Sequence, residues 1–280
     1  MHCVFQRFWH TNVRLEEEEL LAESTYIGTD KEACARMIID PGSLVVRKAW
    51  WEIYRAPGLD SPRMIEAPGL EGMTAYFDCG DTLREALLSP GLTGARDLFA
   101  ESVRGIIQAE TFLLEQRGYS SPLEYQNYWA NVYQGACRYY SNMERVKQRW
   151  YEHIGYSERS GSLFNRMKSQ ALHLDNKKIL LSGHLHDSFH SVAAVLELDQ
   201  EDGRITNSRG DILLAPDLVC TEAAVYMADM EGLLLPQMGK KEIAALLGAE
   251  NGCVHLIDLV SDGAETVLLY RENESSPAGQ

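Results

Sequence analysis

The 280-residue chain lacks most of the local signatures from which an activity is usually read. It has no glycine-rich phosphate loop, no GxSxG elbow and no paired-histidine zincin motif, so nucleotide binding and serine-hydrolase chemistry have no local support. No apolar run approaches the roughly 20 residues that span a bilayer, and the opening MHCVFQRFWHTNVR carries no signal-peptide core. The six cysteines, at 3, 34, 79, 137, 220 and 253, form no CxxC pair and no disulfide-like spacing. These absences lead us to expect a reducing, cytoplasmic setting and no membrane partner. Positive charge is scarce as well. Lys and Arg number 26 against 41 Asp and Glu, a net charge of −15, and no basic patch stands out. A nucleic-acid partner is therefore not expected, because its phosphates would be repelled.

What is present begins with self-similarity. FQRFWHTNVRL from Phe5 lies over FNRMKSQALHL from Phe164, an offset of 159 residues, and Asp40 then meets Asp199 and Ala56-Pro57 meets Ala215-Pro216. In each copy, alternating apolar segments come first, separated by turn signals at Glu16 to Glu19, Pro41-Gly42, Asp175-Asn176 and Asp202-Gly203. After Ala-Pro the period shifts toward helix, with Leu218, Thr221, Ala224, Val225 and Ala228 expected on one helical face. A further helix is expected from Asn251-Gly252. The reading is an α+β fold: a tandem repeat of two small antiparallel meander sheets, each with helices packed on one face. The boundaries are a first repeat over 1–117, a helical connector over 118–161, a second repeat over 162–271 and a disordered tail over 272–280. The connector carries Tyr125, Tyr128, Trp129, Val132, Tyr133, Ala136 and Tyr140 at helical spacing, a stripe expected to be core.

Chemistry concentrates in the second copy. LSGHLHDSFH, from Leu181 to His190, supplies His184, His186 and His190, all even-numbered and so on one face of an extended strand. Cys220 follows, and then Gly252-Cys253-Val254-His255. Thiolate and imidazole suit zinc, iron or copper better than magnesium or calcium. The candidate ligands are His190, Cys220, Cys253 and His255, with His184 and His186 as alternates, and Asp187 and Glu222 are placed to orient imidazoles or accept a proton. Cys253, near a helix start, is expected to have its thiolate stabilised by unpaired N–H groups. The first copy is an internal control: Thr25, Ile27 and Lys31 lie under the three histidines, and Ala95 and Asp97 under Cys253 and His255.

HDSFH, the strand after it, EDGRI, a cysteine on the next helix and GCVHL together resemble a bacterial domain family of unknown function, over about Leu180 to Leu259. A more distant resemblance is to the U-type (NifU-like) iron–sulfur cluster scaffolds, in the order of His190, Cys220, Cys253 and His255 around Asp202-Gly203-Arg204-Ile205. Those scaffolds use three cysteines, where this chain offers two cysteines and two histidines. That resemblance implies a small sheet with helices on one face and iron–sulfur chemistry.

Three functions follow as expectations. The first is a metal-binding protein holding zinc or iron, an iron–sulfur cluster included, through the Cys/His set. The second is a metal-dependent enzyme with an open coordination position and Asp187 or Glu222 as base. The third is a metal-free protein that binds another protein or a small molecule. Homodimerisation is left open by all three.

Overall fold

The computed structural model describes residues 1–92, 94–155 and 158–275. Strands β1 (His2–Glu16), β2 (Glu19–Gly28), β3 (Glu32–Ile39), β4 (Val46–Arg55) and β5 (Arg63–Glu66) come first. Helices α1 (Gly80–Ala86), α2 (Arg96–Ala109), α3 (Pro122–Val132), α4 (Arg138–Ser141) and α5 (Trp150–Ile154) follow. The pattern then recurs with β6 (Ser162–Asp175), β7 (Lys178–Asp187), β8 (Ser191–Asp199) and β9 (Ile205–Leu214), then α6 (Lys240–Leu246) and α7 (Val254–Ser275). Alternation makes the strands: in β7, Ile179, Leu181 and Leu185 are buried while Lys178, His184 and His186 are exposed.

The expectation of two separate small sheets is corrected. The strands form one nine-stranded antiparallel sheet in the order β5-β4-β3-β2-β1-β6-β7-β8-β9. A four-stranded meander would leave the backbone of its first strand unpaired along one edge, and here the long β1 and β6 lie side by side instead. The compact units accordingly draw on both halves of the chain. One comprises Met1–Phe8, Gln126–Tyr156 and Lys168–Gln280; the other comprises Trp9–Tyr125 and Ser157–Met167. The C-terminal stretch expected to be disordered from Glu272 is helical through Ser275, and 276–280 lie outside the described residues.

The offset of 159 seen in the sequence recurs in detail. Leu20 pairs with Ile39 and Ile179 with Leu198. Register shifts fall at Glu32/Ala33 and Ile38/Ile39 in one half, and at Ser191/Val192 and Glu197/Leu198 in the other. Glu17 and Asn176, the first residues of corresponding hairpin turns, both take positive φ, at 55° and 57°.

In the unit that carries β7 to β9, Leu181, Leu196, Met227, Leu256, Leu259 and Val260 belong to one apolar cluster, each large side chain contributing roughly 1.5–3 kcal/mol by leaving water. The segment after Ala215-Pro216 is a 3₁₀ helix, Leu218–Met230, and its buried face is Val219, Ala223, Met227 and Met230. Leu218 and Val225, read from the sequence as sharing a helical face, are 80% and 70% exposed. Asp217 sets that phase, because its side chain caps the first turn through Val219 N–H and points Val219 inward. In the other unit, α2 packs against β2 and β3 with Phe99 and Ile106 fully buried.

Gly105 in α2 is a close-approach position: a Cβ there would lie 2.9 Å from Thr11 Cγ2 and 3.0 Å from Val13 Cγ2. Both neighbours are buried and stiff at χ1. Alanine inside a helix normally gains about 1 kcal/mol over glycine, but overpacking of this kind costs about 1–3 kcal/mol. Gly105→Ala is therefore expected to lower the urea midpoint. Gly80→Ala in α1, where no atom lies within 4 Å of the added Cβ, is expected to leave it unchanged or raise it.

Candidate metal centre

The site begins at the end of β7, where the chain reverses through Asp187-Ser188-Phe189-His190 into β8. The turn is closed by Asp187 N–H donating to His190 O at 2.8 Å. The first half builds the same closure from Gly28 to Lys31, also at 2.8 Å, but there Asp30 accepts from Tyr26 Oη and fills the space a Cβ on Gly28 would need. In the second half that position carries a carboxylate whose side chain is 0% exposed. Asp187 Oδ1 accepts from Phe189 N–H at 2.9 Å and His190 N–H at 2.8 Å, an Asx-type arrangement. It also lies 3.1 Å from His190 Nδ1. An ionised carboxylate can only accept, so Nδ1 is the donor in this pair, and in the neutral ring that leaves the lone pair on Nε2.

His255 reaches the same place from the start of α7. That helix is drawn onto the sheet by polar side chains of β1 and β6. Arg7 donates to Asp262 O, Thr266 Oγ1 and Glu265 Oε2, Lys168 pairs with Asp262 at 2.8 Å, and Gln170 Nε2 donates to Leu259 O at 2.8 Å. Gly263 permits the approach, since a Cβ there would fall 2.8 Å from Leu181 Cδ2. The His190 and His255 ring centroids end 4.2 Å apart. Among the described residues, Asp187, His190 and His255 are the one group of three or more candidate ligands whose donor atoms all lie within 4.8 Å of one another.

Two residues that the sequence did not nominate complete the surroundings. Trp150 stacks on His190 with centroids 6.2 Å apart and an interplanar angle of 29°, and meets Phe189 edge-on at 4.9 Å. His153 Nε2 lies 2.8 Å from Phe189 O, and because a carbonyl only accepts, Nε2 bears the proton. Burial pushes the His153 imidazole below its usual range, with His190 adding to the effect, while the bond to Phe189 O and the charge of Asp187 oppose it. Both residues belong to α5, which Glu152 caps by reaching back to Arg149 N–H. No spacing rule links this segment to LSGHLHDSFH.

Of the other nominated residues, His184, His186 and Glu222 fall elsewhere. His184 and His186 project from the exposed face of β7, opposite Ala193 and Ser191. The even-number argument breaks because His190 lies beyond the strand end, where strand parity no longer applies. Glu222 is held by Arg145 and Arg138, whose hydrogen bonds keep its carboxyl below the usual range, so it orients no imidazole. Cys253 Sγ stands 4.0 Å from His255 Nδ1. The expected thiolate stabilisation is overturned: burial pushes the Cys253 thiol up to about 11, outweighing backbone bonds from Leu256 and His255 that pull it down. Burial likewise pushes Cys220 up to about 12.

Cys220 is placed by Asp217, whose carboxylate accepts from Val219, Lys147 and Gln148 N–H groups at 2.8–2.9 Å. Burial alone would raise this carboxyl, but the three N–H bonds prevail and lower it. Its stabilisation is thus fully present above the unfolded value near pH 4 and lost as pH falls through the lowered folded value.

Two outcomes are expected. Asp217→Asn should destabilise by about 1–2 kcal/mol at pH 7, and the difference from wild type in urea midpoint should shrink toward pH 3. Asp187→Ala leaves two N–H groups of the turn without an acceptor and should cost about 2–4 kcal/mol. Nitrogen-15 NMR of the wild-type ring should show His190 protonated at Nδ1, and that preference should disappear in Asp187→Ala.

No helix among the described residues is long and apolar enough to cross a membrane. No curated protein and no solved structure matches the chain. Residues 166–268, from within β6 into α7, match a family described as a protein of unknown function (DUF2889). The match takes in Asp187, His190, Cys220, Cys253 and His255, in keeping with the expected resemblance to a domain family of unknown function.

Proposed function

We propose that the protein binds a transition-metal ion, zinc or iron, at Asp187, His190 and His255. The convergence of two imidazoles and a buried carboxylate from two distant segments carries the reading. The engaged Nδ1 of His190 adds to it, because a carboxylate that holds one ring nitrogen leaves the other oriented as a ligand. Imidazole donors favour zinc, iron or copper over calcium and magnesium.

With Asp187 engaged at His190 Nδ1, the two imidazoles are the protein ligands, and so small a number leaves positions for bound water. That count favours an open site able to activate water or hold a substrate over a closed structural one. The iron–sulfur alternative rests on the order of residues in the U-type resemblance. A cytoplasmic location, a protein or small-molecule partner and homodimerisation rest on the sequence alone.

We also read the chain as duplicated, with the site confined to the second half. Matching register shifts, the isolated bridges Val45–Thr74 and Arg204–Leu234, and Gly28 standing where Asp187 stands support this.

Elemental analysis of protein purified without chelators and without oxygen is expected to find near-stoichiometric zinc or iron. His190→Ala and His255→Ala should each lose most of it. Asp187→Asn should weaken binding by about 10–100-fold if the carboxylate acts by orienting His190. Metal-free wild type under these conditions would overturn the reading and leave the metal-free interaction protein.

A further inference from the structure

We propose that a depression on the open face of β3, β4 and β5 binds one ring of a neutral sugar, stacked on Trp50. It lies in the unit that does not carry Asp187, His190 and His255, shares no residue with them and stands independently of the metal reading.

The depression has a volume of about 210 Å³ and is lined by Arg36, Lys48, Trp50, Glu52, Met64 and Glu66. Strand alternation puts these residues on the face opposite Ala35, Met37, Ala49 and Trp51, which are buried. Register then sets their arrangement. Arg36 pairs with Trp50 and Trp50 with Glu66, so the half-buried indole sits mid-row between a guanidinium and a carboxylate. Lys48 and Glu52 flank it two residues away on β4, and Met64, 64% exposed, stands opposite Glu52. At the matching register of the second half, Val195 pairs with Arg209 and Ala193 with Asp211, and β9 is the edge of the sheet. Neither the aromatic platform nor the wall that β5 supplies is repeated there.

The charges of the lining are already paired, and that selects the ligand. Arg36 Nη1 and Trp50 Nε1 donate to Glu52 Oε1 at 2.6 and 2.8 Å, and Tyr54 Oη donates to Glu52 Oε2. Arg36 Nε donates to Glu23 at 2.6 Å, while Lys48 Nζ lies 3.4 Å from Glu66 Oε1 and 5.9 Å over the Trp50 ring. Two cations and two carboxylates cancel, so nothing here attracts an ion, and an ionic ligand would have to separate existing pairs. A neutral polyhydroxyl ligand would not. Arg36 Nη2 has no hydrogen-bond partner among the described residues, Lys48 has three donors, and Glu66, 64% exposed, has acceptor positions to spare. Donors and acceptors thus surround one apolar ring face. A sugar matches that pattern, with hydroxyls at its edge and C–H groups on its face. The volume holds about seven waters at ~30 Å³ each, the room of a single ring. Three donors hold Glu52 in place before any ligand arrives, so little order is lost on binding. A nucleotide, which would also stack on an indole, is disfavoured by its phosphates against a net charge of −15.

The test is saturation-transfer difference NMR on the full-length protein with the methyl glycosides of glucose, galactose, mannose and N-acetylglucosamine. Each is used at about 20 mM, enough to fill a site with a Kd near 1 mM, and tetramethylammonium and inorganic phosphate serve as charged comparisons. The expected result is transfer to the ring C–H protons of at least one glycoside. The indole N–H resonance of Trp50, identified by its loss in Trp50→Phe, should move in the same titration. Trp50→Ala should abolish the transfer, Glu66→Ala should weaken binding several-fold, and His190→Ala should leave it unchanged. Absence of transfer to every glycoside overturns the proposal, as does transfer that persists undiminished in Trp50→Ala. Binding of tetramethylammonium or phosphate but of no glycoside overturns it too. Should Trp50→Ala fail to fold, the Trp50 resonance in the wild type and the effect of Glu66→Ala decide.

Discussion

A buried carboxylate is costly unless hydrogen bonds replace the water it loses. Asp187 satisfies that condition through two turn N–H groups and His190 Nδ1. The same oxygen therefore shapes the turn, fixes the proton on His190 and places a negative charge beside two imidazoles. The first half closes an equivalent turn with Gly28, where the carboxylate of Asp30 occupies the space a side chain would need and accepts from Tyr26 instead.

The partner imidazole depends on how α7 meets the sheet. Arg7, Lys168 and Gln170 are buried polar side chains that bond to the helix, and Gly263 lets its backbone come close. This docking sets the height and rotation of His255. It also buries Cys253 at the helix start, where desolvation exceeds the pull of the helix N–H groups. Position at a helix N-terminus is therefore not enough to make a thiolate; solvent access decides.

Much of the secondary structure could be read from residue pattern. The turns at Glu16 to Glu19 and Asp175-Asn176 fall between β1 and β2 and between β6 and β7. His190, Cys253 and His255 were legible as candidate ligands because the corresponding positions of the first half carry Lys31, Ala95 and Asp97. His184 and His186 were misplaced by extending strand parity past the strand, and Glu222 by ignoring arginines distant in sequence. Trp150 and His153 left no signal, because aromatic packing on a turn some forty residues away follows no periodicity.

Composition and alternation by themselves determined that the chain builds antiparallel strands followed by helices, twice over, with polar turns between. Those features depend on neighbours within a few residues, where backbone geometry dictates the period. The tertiary structure alone decided that β1 and β6 lie together in one sheet, that Asp187 is buried, and that α7 and the connector meet at one turn. Such contacts arise from the burial of apolar faces and the pairing of polar groups across long separations, which local spacing does not encode.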